Sequence, residues 1–249
     1  AKVYPLGVHP DGRNINHRCG SLHPEHMMRS VKSRGADLGI ALDGDADRVV
    51  VSDERGELVD GDQIMAICGS YRLGKRLLPK KTVVTTIMSN LGLEKALIGK
   101  GGKVVRTQVG DRYVVEEMRR AGYNFGGEKS GHIINLDYST TGDGVIAAIK
   151  LIEVMLRTGK PLSELKRIMP VYPQKLVNVV VRDKRPVEEL PSLSKRIEDM
   201  NSEFGDEGRA VVRYSGTESV ARVMVEGPHH DRVQYWAEEL AATLQEELS

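Results

Sequence analysis

Apolar and polar positions along the chain follow two periods, one typical of strands and one typical of helices. Short apolar or β-branched runs predict strands at 38–42, 48–52, 82–86, 103–107 and 132–136. Apolar residues at helical spacing predict helices from Asp62 onward, over 91–98, over 112–120, and along a longer segment with Val145, Ile149, Ile152 and Leu156 on one face. This alternation predicts an α/β fold in which mixed sheets are covered by helices.

A break in this alternation falls near two prolines. Pro170 and Pro173 interrupt the pattern, which favours a linker. The pattern beyond them predicts strands at 175–182, 209–213 and 221–226, a helix at 192–203, and a final helix striped by Val233, Trp236, Leu240 and Leu244. We therefore predict a separate, small C-terminal α+β domain. Residues 1–8 also read as a strand, either a short edge strand or one inside a domain that starts earlier.

Composition and charge narrow the classes of partner. Lys plus Arg number 36 and Asp plus Glu 35, and no basic run is visible, so the charge pattern of a nucleic-acid binder is missing. Apolar runs are much shorter than the roughly 20 residues that span a bilayer. Cys19 and Cys68 lie far apart, which argues against a disulfide framework or a zinc knuckle. We expect a cytoplasmic protein with a small neutral or anionic partner, and neither nucleic acid nor membrane as a partner.

Three aspartates lie between two predicted strands, in the acidic turn Asp43-Gly44-Asp45-Ala46-Asp47-Arg48. Alternate side chains of an extended segment share one side, so the three carboxylates converge. Carboxylates this close repel one another unless a cation neutralises them, and hard oxygen ligands select Mg²⁺ or Ca²⁺. The turn therefore predicts a metal site made by Asp43, Asp45 and Asp47.

Three other interpretations of the acidic turn stay open. A solvated turn is the simplest, although it does not require three spaced acids between apolar strands. An EF-hand loop counted from Asp43 has Glu54 at its last ligand position, but Arg48 stands where that loop needs glycine. An aspartyl-phosphate phosphatase, with Asp43 as its nucleophile, also has a strand followed by an Asp-x-Asp pair.

Two further loops carry polar side chains beside glycine. In the polar loop Gly126-Gly127-Glu128-Lys129-Ser130-Gly131-His132, the glycines let the backbone approach a ligand, Glu128 can bind sugar hydroxyls or an amine, and His132 can carry a proton near neutral pH. In the arginine loop Arg213-Tyr214-Ser215-Gly216-Thr217-Glu218, a guanidinium, two hydroxyls and a glycine amide suit a phosphate, and Arg222 is close enough to join. A surface turn and a hairpin turn are the plainer alternatives.

These three loops, in this order and at this spacing, resemble the metal, sugar and phosphate loops of the α-D-phosphohexomutases over essentially the whole chain. Five further strings resemble the branch of this family that acts on glucosamine phosphate. They are Val59-Asp60-Gly61-Asp62-Gln63-Ile64-Met65, Met88-Ser89-Asn90-Leu91-Gly92-Leu93-Glu94, Val109-Gly110-Asp111-Arg112-Tyr113-Val114, Thr140-Thr141-Gly142-Asp143-Gly144 and Arg222-Val223-Met224-Val225-Glu226-Gly227. The resemblance implies the C-terminal part of a second domain at 1–56, a third domain at 57–170 and a fourth at 174–249.

The resemblance also implies a role for each loop. Mg²⁺ would be held by Asp43, Asp45 and Asp47, beside Arg48 at the moving phosphoryl group, with His132 assisting proton transfer. Sugar hydroxyls would be bound by Glu128 and Ser130, and the non-reacting phosphate by Arg213, Ser215, Gly216, Thr217 and Arg222. In such enzymes a phosphoserine phosphorylates the substrate, and the bisphosphorylated sugar turns round and returns its other phosphate. The implied reaction interconverts glucosamine 6-phosphate and glucosamine 1-phosphate, with that bisphosphate as intermediate and activator.

Two features depart from the family pattern. Ser219 stands where the phosphate loop usually has proline, and the Ser-His-Asn-Pro string that carries the nucleophile does not occur. Ser21 is the nearest substitute, but its surroundings resemble the second domain. We therefore expect the phosphoserine domain to be supplied in cis or in trans, and the chain alone to bind a sugar phosphate without turnover. A phosphoglucomutase, a phosphomannomutase and a non-catalytic sugar-phosphate binding protein remain alternatives, and the oligomeric state is not predicted.

Overall fold

A computed structural model describes residues 1–216 and 218–248, and the chain forms two compact units. The N-terminal unit comprises Ala1–Ser89 and Leu93–Pro170, and the C-terminal unit comprises Asn90–Gly92 and the chain from Val171 onward. The predicted sections 1–56 and 57–170 therefore lie in one unit, and the boundary between them stays a prediction. Within the described residues, no helix is long and apolar enough to cross a membrane.

From its start to Pro170, the chain forms six helices and seven strands among its described residues. The helices are α1 (Glu25–Arg34), α2 (Gly61–Gly74), α3 (Leu91–Ile98), α4 (Asp111–Ala121), α5 (Gly144–Thr158) and α6 (Leu162–Leu165). The strands are β1 (Leu38–Leu42), β2 (Val49–Asp53), β3 (Leu58–Val59), β4 (Thr82–Thr86), β5 (Lys103–Thr107), β6 (Phe125–Gly127) and β7 (Ile133–Asn135).

Two sheets organise the N-terminal unit. β1, β2 and β3 form an antiparallel meander, and the pairing of Leu42 with Val49 closes the hairpin that carries the acidic turn. The second sheet has the order β5-β4-β6-β7, in which β4 is parallel to β5 and β6 while β7 is antiparallel to β6. This is the mixed α/β arrangement that the alternating pattern predicts.

One hydrophobic core joins the meander to the mixed sheet. Val49 and Val51 of β2 are fully buried and pack in the same cluster as Ile64 of α2 and Leu151 of α5. The Asp60 carboxylate accepts the Gln63 amide at 3.0 Å, and the Gln63 side chain accepts the Asp60 amide, so a capping box starts α2. The strand after the acidic turn and the helix below the polar loop are therefore parts of one packed body.

The apolar face that the sequence predicts for α5 is not the face that packs into the core. Val145, Ile149 and Leu156 do share a face, as their spacing predicts, but that face is exposed. The packed face instead carries Gly144, Ala147, Ala148, Leu151 and Val154. This face packs against α2, and its glycine and alanines let the two helices approach closely.

The strand predicted at residues 1–8 is wrong. These residues form neither helix nor strand, and only Leu6 packs against a small cluster around Met27. No strand in the described chain pairs with them. A lone strand leaves its backbone groups to water, so apolar composition alone does not produce one.

The C-terminal unit is α+β, as the pattern after Pro173 predicts. Its elements are β8 (Gln174–Val180), α7 (Pro191–Phe204), β9 (Arg209–Tyr214), β10 (Val220–Glu226) and α8 (His230–Glu247). β10 lies between β8 and β9 in an antiparallel sheet. Leu193 of α7, Val223 of β10 and Leu240 of α8 are fully buried in a core of this unit's own residues.

Candidate functional site

The acidic turn brings the three predicted ligands together. Asp43, Asp45 and Asp47 each offer one carboxylate oxygen, and these oxygens all lie within 4.8 Å of one another. The turn is closed by the Ala46 amide, which donates to the Asp43 carbonyl at 3.2 Å. Ala46 has φ 62°, a left-handed conformation that is uncommon outside glycine, and its carbonyl accepts the Gly144 amide at 2.9 Å. The backbone is therefore held in the shape that gathers the acids.

Arg48 lies beside these carboxylates. Its amide donates to Asp43 Oδ1 at 3.1 Å, and its guanidinium lies 3.7 Å from Asp43 and 4.0 Å from Asp47. The side chain is 46% exposed, so one solvated cation faces three carboxylates. Arg48 offsets only part of the negative charge.

The surroundings of Asp47 disfavour its negative charge. Burial and then the neighbouring Asp43 raise the pKa of Asp47, while His132 and Arg48 act in the opposite direction. Its Oδ1 atom is buried and has no hydrogen-bond partner among the residues that the structure describes. A divalent cation bound by hard oxygen atoms would remove both penalties, so the side chains fit Mg²⁺.

The polar loop packs directly against the acidic turn. The Val49 amide, next to Arg48, donates to the Gly131 carbonyl at 3.0 Å. Gly131 has φ 93°, and a Cβ there would lie 2.0 Å from the Val49 carbonyl oxygen, so this position requires glycine. The Gly61 amide, at the start of α2, donates to the Lys129 carbonyl at 3.1 Å. The loop is thus bonded on one side to the turn and on the other to a helix start.

His132 forms the side-chain link between the two loops. It is 2% exposed, and its Nδ1 lies 3.0 Å from Asp47 Oδ2. Its Nε2 lies 3.8 Å from Asp111 Oδ2 and has no hydrogen-bond partner in the described part of the chain. Gly142 gives the ring its space, because a Cβ there would lie 2.3 Å from Nε2. A carboxylate of the acidic turn therefore orients the imidazole.

Glu128 and Ser130, the predicted sugar ligands, differ in their surroundings. Glu128 is half-buried, and its Oε1 accepts the Gly110 amide at the start of α4 at 3.0 Å. Ser130 is exposed. The loop thus offers one fixed carboxylate and one accessible hydroxyl on the same short segment.

The arginine loop lies in the C-terminal unit, between β9 and β10. Arg213 and Arg222 are directly opposite each other in the two strands, and burial and then Arg222 lower the pKa of Arg213. The buried Ser215 closes the loop, since its amide donates to the Val220 carbonyl at 2.8 Å and its Oγ accepts the Glu218 amide at 3.2 Å. Arg222 also pairs with Glu218 at 3.1 Å. Two facing cations next to a hydroxyl suit a phosphate group.

Two further residues of this loop were predicted to bind the phosphate. Gly216 is exposed, and a Cβ there would meet nothing within 4 Å, so the site does not demand glycine for space. Thr217 lies outside the described residues.

The sequence interpretation missed three residues around these loops. Asp111 faces His132, Gly142 makes room for the imidazole, and Lys184 donates to the Ser215 carbonyl at 2.6 Å. Asp111 and Gly142 belong to strings that resemble the family, and that was the available signal. Lys184 belongs to no such string, and only the folded chain brings it to the arginine loop.

The fold and these loops define a multidomain α/β protein with clustered carboxylates on one hairpin and paired arginines on another. Models of phosphoglucomutase/phosphomannomutase domains match the chain three times, with domain II at residues 1–56, domain III at 60–172 and the C-terminal domain at 176–243. The chain belongs to the phosphoglucomutase/phosphomannomutase family.

Two of the curated relatives that the chain resembles are phosphoglucosamine mutases. The chain is 59% identical over 248 residues to a phosphoglucosamine mutase of Anaeromyxobacter dehalogenans (strain 2CP-C), covering 100% of this chain and 54% of that protein. It is 56% identical over 249 residues to the phosphoglucosamine mutase of Myxococcus xanthus (strain DK1622), with the same coverage. The chain thus spans about half the length of the curated relatives that it matches.

Solved structures show the same fold. An Aspergillus fumigatus N-acetylphosphoglucosamine mutase, in complex with GlcNAc-6P and magnesium, aligns with a TM-score of 0.75 at 24% identity, over 94% of this chain and 54% of that one. A further structure of that enzyme, in complex with glucose 1,6-bisphosphate, aligns with a TM-score of 0.70 at 22% identity, over 94% of this chain and 53% of the other.

Proposed function

We propose that this chain is part of an enzyme that interconverts glucosamine 6-phosphate and glucosamine 1-phosphate. The identity of 59% to a phosphoglucosamine mutase over the whole chain supports this substrate within the family. The observation that carries the proposal is the bonded pair of loops, in which His132 of the polar loop contacts Asp47 of the acidic turn at 3.0 Å. A proton-carrying group and a cation site are thereby held side by side.

Asp43, Asp45 and Asp47 would hold Mg²⁺, which supplies stabilisation of the negative charge on a transferring phosphoryl group. Arg48 would add a second positive charge beside it, since its guanidinium lies 3.7 Å from Asp43 and is partly exposed. His132, oriented by Asp47, would accept or donate the proton of the reacting sugar hydroxyl. The structure of a related enzyme with magnesium supports the choice of ion.

Glu128 and Ser130 would bind the sugar, and the arginine loop would bind the phosphate that does not react. Arg213 and Arg222 supply the charge for that phosphate, and Ser215 supplies a hydroxyl at the end of β9. The phosphoryl donor would be a phosphoserine outside these 249 residues, because the Ser-His-Asn-Pro string does not occur in them. A bisphosphorylated sugar would be the intermediate and the activator.

Turnover of glucosamine 6-phosphate by the complete natural protein that carries this chain tests the proposal. We expect kcat/KM to be higher for glucosamine 6-phosphate than for glucose 6-phosphate or mannose 6-phosphate, each measured with Mg²⁺ and a catalytic amount of the bisphosphate. A preference for glucose or mannose phosphate would assign a different member of the family.

The 249-residue chain alone tests the placement of the donor. Calorimetric titration with glucosamine 6-phosphate and Mg²⁺ is expected to show binding, and the same sample is expected to form no glucosamine 1-phosphate. Robust mutase activity of the isolated chain would contradict a donor outside it.

A further inference from the structure

The segment 181–185 lies beside the arginine loop, bonds to it at two points and bonds to Ser219, which follows the loop, at a third. The Val181 amide donates to the Ser219 carbonyl at 3.0 Å. The Tyr214 hydroxyl donates to the Arg185 carbonyl at 2.6 Å. Between these bonds, the Lys184 ammonium donates to the Ser215 carbonyl at 2.6 Å. The segment therefore packs against the loop, although the two are about 30 residues apart in the chain.

The charges around Ser215 are unbalanced. Arg213 and Arg222 face each other across β9 and β10, and Lys184 adds a third cation at the Ser215 carbonyl. Two carboxylates lie near this group: Glu218 pairs with Arg222 at 3.1 Å, and Asp183 Oδ1 accepts the Lys184 amide at 2.9 Å. The Nε atom of Arg213 is buried without a hydrogen-bond partner among the described residues. An anion such as phosphate would offset the remaining positive charge and supply an acceptor for this atom.

The bond from Lys184 also has a geometric consequence. Ser215 presents its hydroxyl where β9 ends, next to the exposed Gly216, and its carbonyl accepts a hydrogen bond from the Lys184 ammonium. This bond restrains the Ser215 carbonyl, at the cost of rotamer freedom in the lysine side chain. A binding group that is restrained beforehand loses less freedom when a ligand binds, so one side chain contributes both a positive charge and a restraint.

We propose that Lys184 is a positioning residue of the arginine loop: it holds the Ser215 carbonyl and raises the affinity of the loop for a phosphate monoester. The ligand class rests on the function proposed above. The role of Lys184 is a separate statement, because it concerns how the loop is held and charged, whatever sugar carries the phosphate.

Titration of the 249-residue chain with inorganic phosphate, in the absence of Mg²⁺, tests this role. Lys184 is exposed, so solvent weakens its contribution, and we expect Lys184→Gln to weaken phosphate binding about threefold to fivefold. Lys184→Arg keeps the charge and a donor, so it should recover part of that loss. Lys195→Gln removes an exposed lysine of α7 in the same unit and should change the affinity by less than about twofold.

Salt dependence separates this role from a purely structural one. The wild-type affinity should fall more steeply with ionic strength than the affinity of Lys184→Gln, because the variant has one cation fewer near the bound anion. Circular dichroism and the midpoint of thermal unfolding check that each variant is folded. If Lys184→Gln does not fold, Lys184→Met and Lys184→Arg provide the same comparison of charge.

The outcomes distinguish this inference from the proposed function. Binding that is absent in the wild type, or unchanged in Arg213→Gln, would remove the arginine loop as a phosphate site and with it part of the proposed function. A second outcome would overturn only the role of Lys184. In that case phosphate binding depends on Arg213, but folded Lys184→Gln binds phosphate with the same affinity and the same salt dependence as the wild type.

Discussion

Asp47 is the residue at which the acidic turn and the polar loop meet, since it is both a predicted metal ligand and the partner of His132 at 3.0 Å. A single carboxylate with both duties would make a bound ion and the imidazole dependent on each other. Its pKa is raised first by burial and then by Asp43, so its negative charge is disfavoured in this place. A bound cation would relieve that penalty.

Asp47→Asn should weaken the binding of Mg²⁺ to the chain about tenfold or more, because one of three charged ligands is lost. Isothermal titration with MgCl₂ measures it. Asp37→Asn, at an exposed position just before β1, removes the same charge outside the turn and should leave the affinity unchanged. Equal losses in the two variants would show a general charge effect and contradict a site at the turn.

Acid should weaken Mg²⁺ binding at a higher pH than an ordinary aspartate would allow. The metal needs the ionised carboxylate, and the pKa of Asp47 lies above 3.8 in the metal-free chain, so protons compete earlier as the pH falls. Titrations from neutral pH downward should show this loss of affinity in the wild type. In Asp47→Asn the remaining Mg²⁺ binding should be weaker, and its affinity should begin to fall only at a lower pH than in the wild type. The same pH profile in both proteins would contradict the assignment to Asp47.

At the scale of elements, an ion-pair network fastens the meander to the turn after α6. The Lys166 ammonium lies 2.6 Å from Asp53 Oδ2, at the end of β2, and 2.6 Å from Glu57 Oε2. Asp53 is completely buried, whereas Lys166 is 15% exposed. Burial lowers the pKa of Lys166, but the bonds to Asp53 and Glu57 outweigh it and raise that pKa above 10.5. The strand that follows the acidic turn is thus held at its far end.

Lys166→Met should lower the free energy of unfolding by about 3 kcal/mol, because it leaves the Asp53 carboxylate buried and unpaired. Urea denaturation of the chain measures it. Lys160→Met, which removes a half-exposed lysine paired with Glu164, should cost less than about 1 kcal/mol.

The contribution of Lys166 to stability should depend on pH. Because its pKa is raised in the folded chain, Lys166 stabilises the fold fully below pH 10.5, and this effect is lost as the pH rises through the folded pKa. The difference in unfolding free energy between the wild type and Lys166→Met should therefore shrink in strong alkali.

Several elements were predictable to the residue. The β-branched run 82–86 became β4, 91–98 became α3 and 103–107 became β5, because these segments match the local periodicity of the structure that they adopt. The strand at 1–8 failed for the opposite reason, since a strand needs a partner that local pattern does not reveal. The buried face of α5 also escaped prediction, because both of its faces carry apolar residues and only the contact with α2 shows which of them is covered.

At the scale of the whole chain, the two units have cores made of different residues. The C-terminal core draws on residues from Val179 to Leu248, and the main N-terminal core draws on residues from Val49 to Met169. A unit with its own sheet, two long helices and a closed core meets the requirements for independent folding.

Residues 171–248, which form this unit without its short segment Asn90–Gly92, should therefore fold when expressed alone, with a cooperative thermal transition measured by circular dichroism. Calorimetry of the intact chain should show two transitions, one of which this fragment reproduces. Leu240→Ala should lower only the C-terminal transition and Leu151→Ala only the other, each by about 2–5 kcal/mol of unfolding free energy. A fragment without cooperative unfolding, or one transition lowered by both variants, would contradict independence.

The sequence by itself determined most of the longer strands and helices, the α/β class, the three loops and the family, because periodicity, turn chemistry and spaced carboxylates are local properties. Tertiary structure decided which distant residues meet. Asp47 and His132 are 85 positions apart, and Lys184 and Ser215 are 31 apart, yet each pair is in hydrogen-bond contact. Such pairs arise from strand pairing and close packing across the chain, so no local pattern shows that an aspartate of one loop orients the histidine of another.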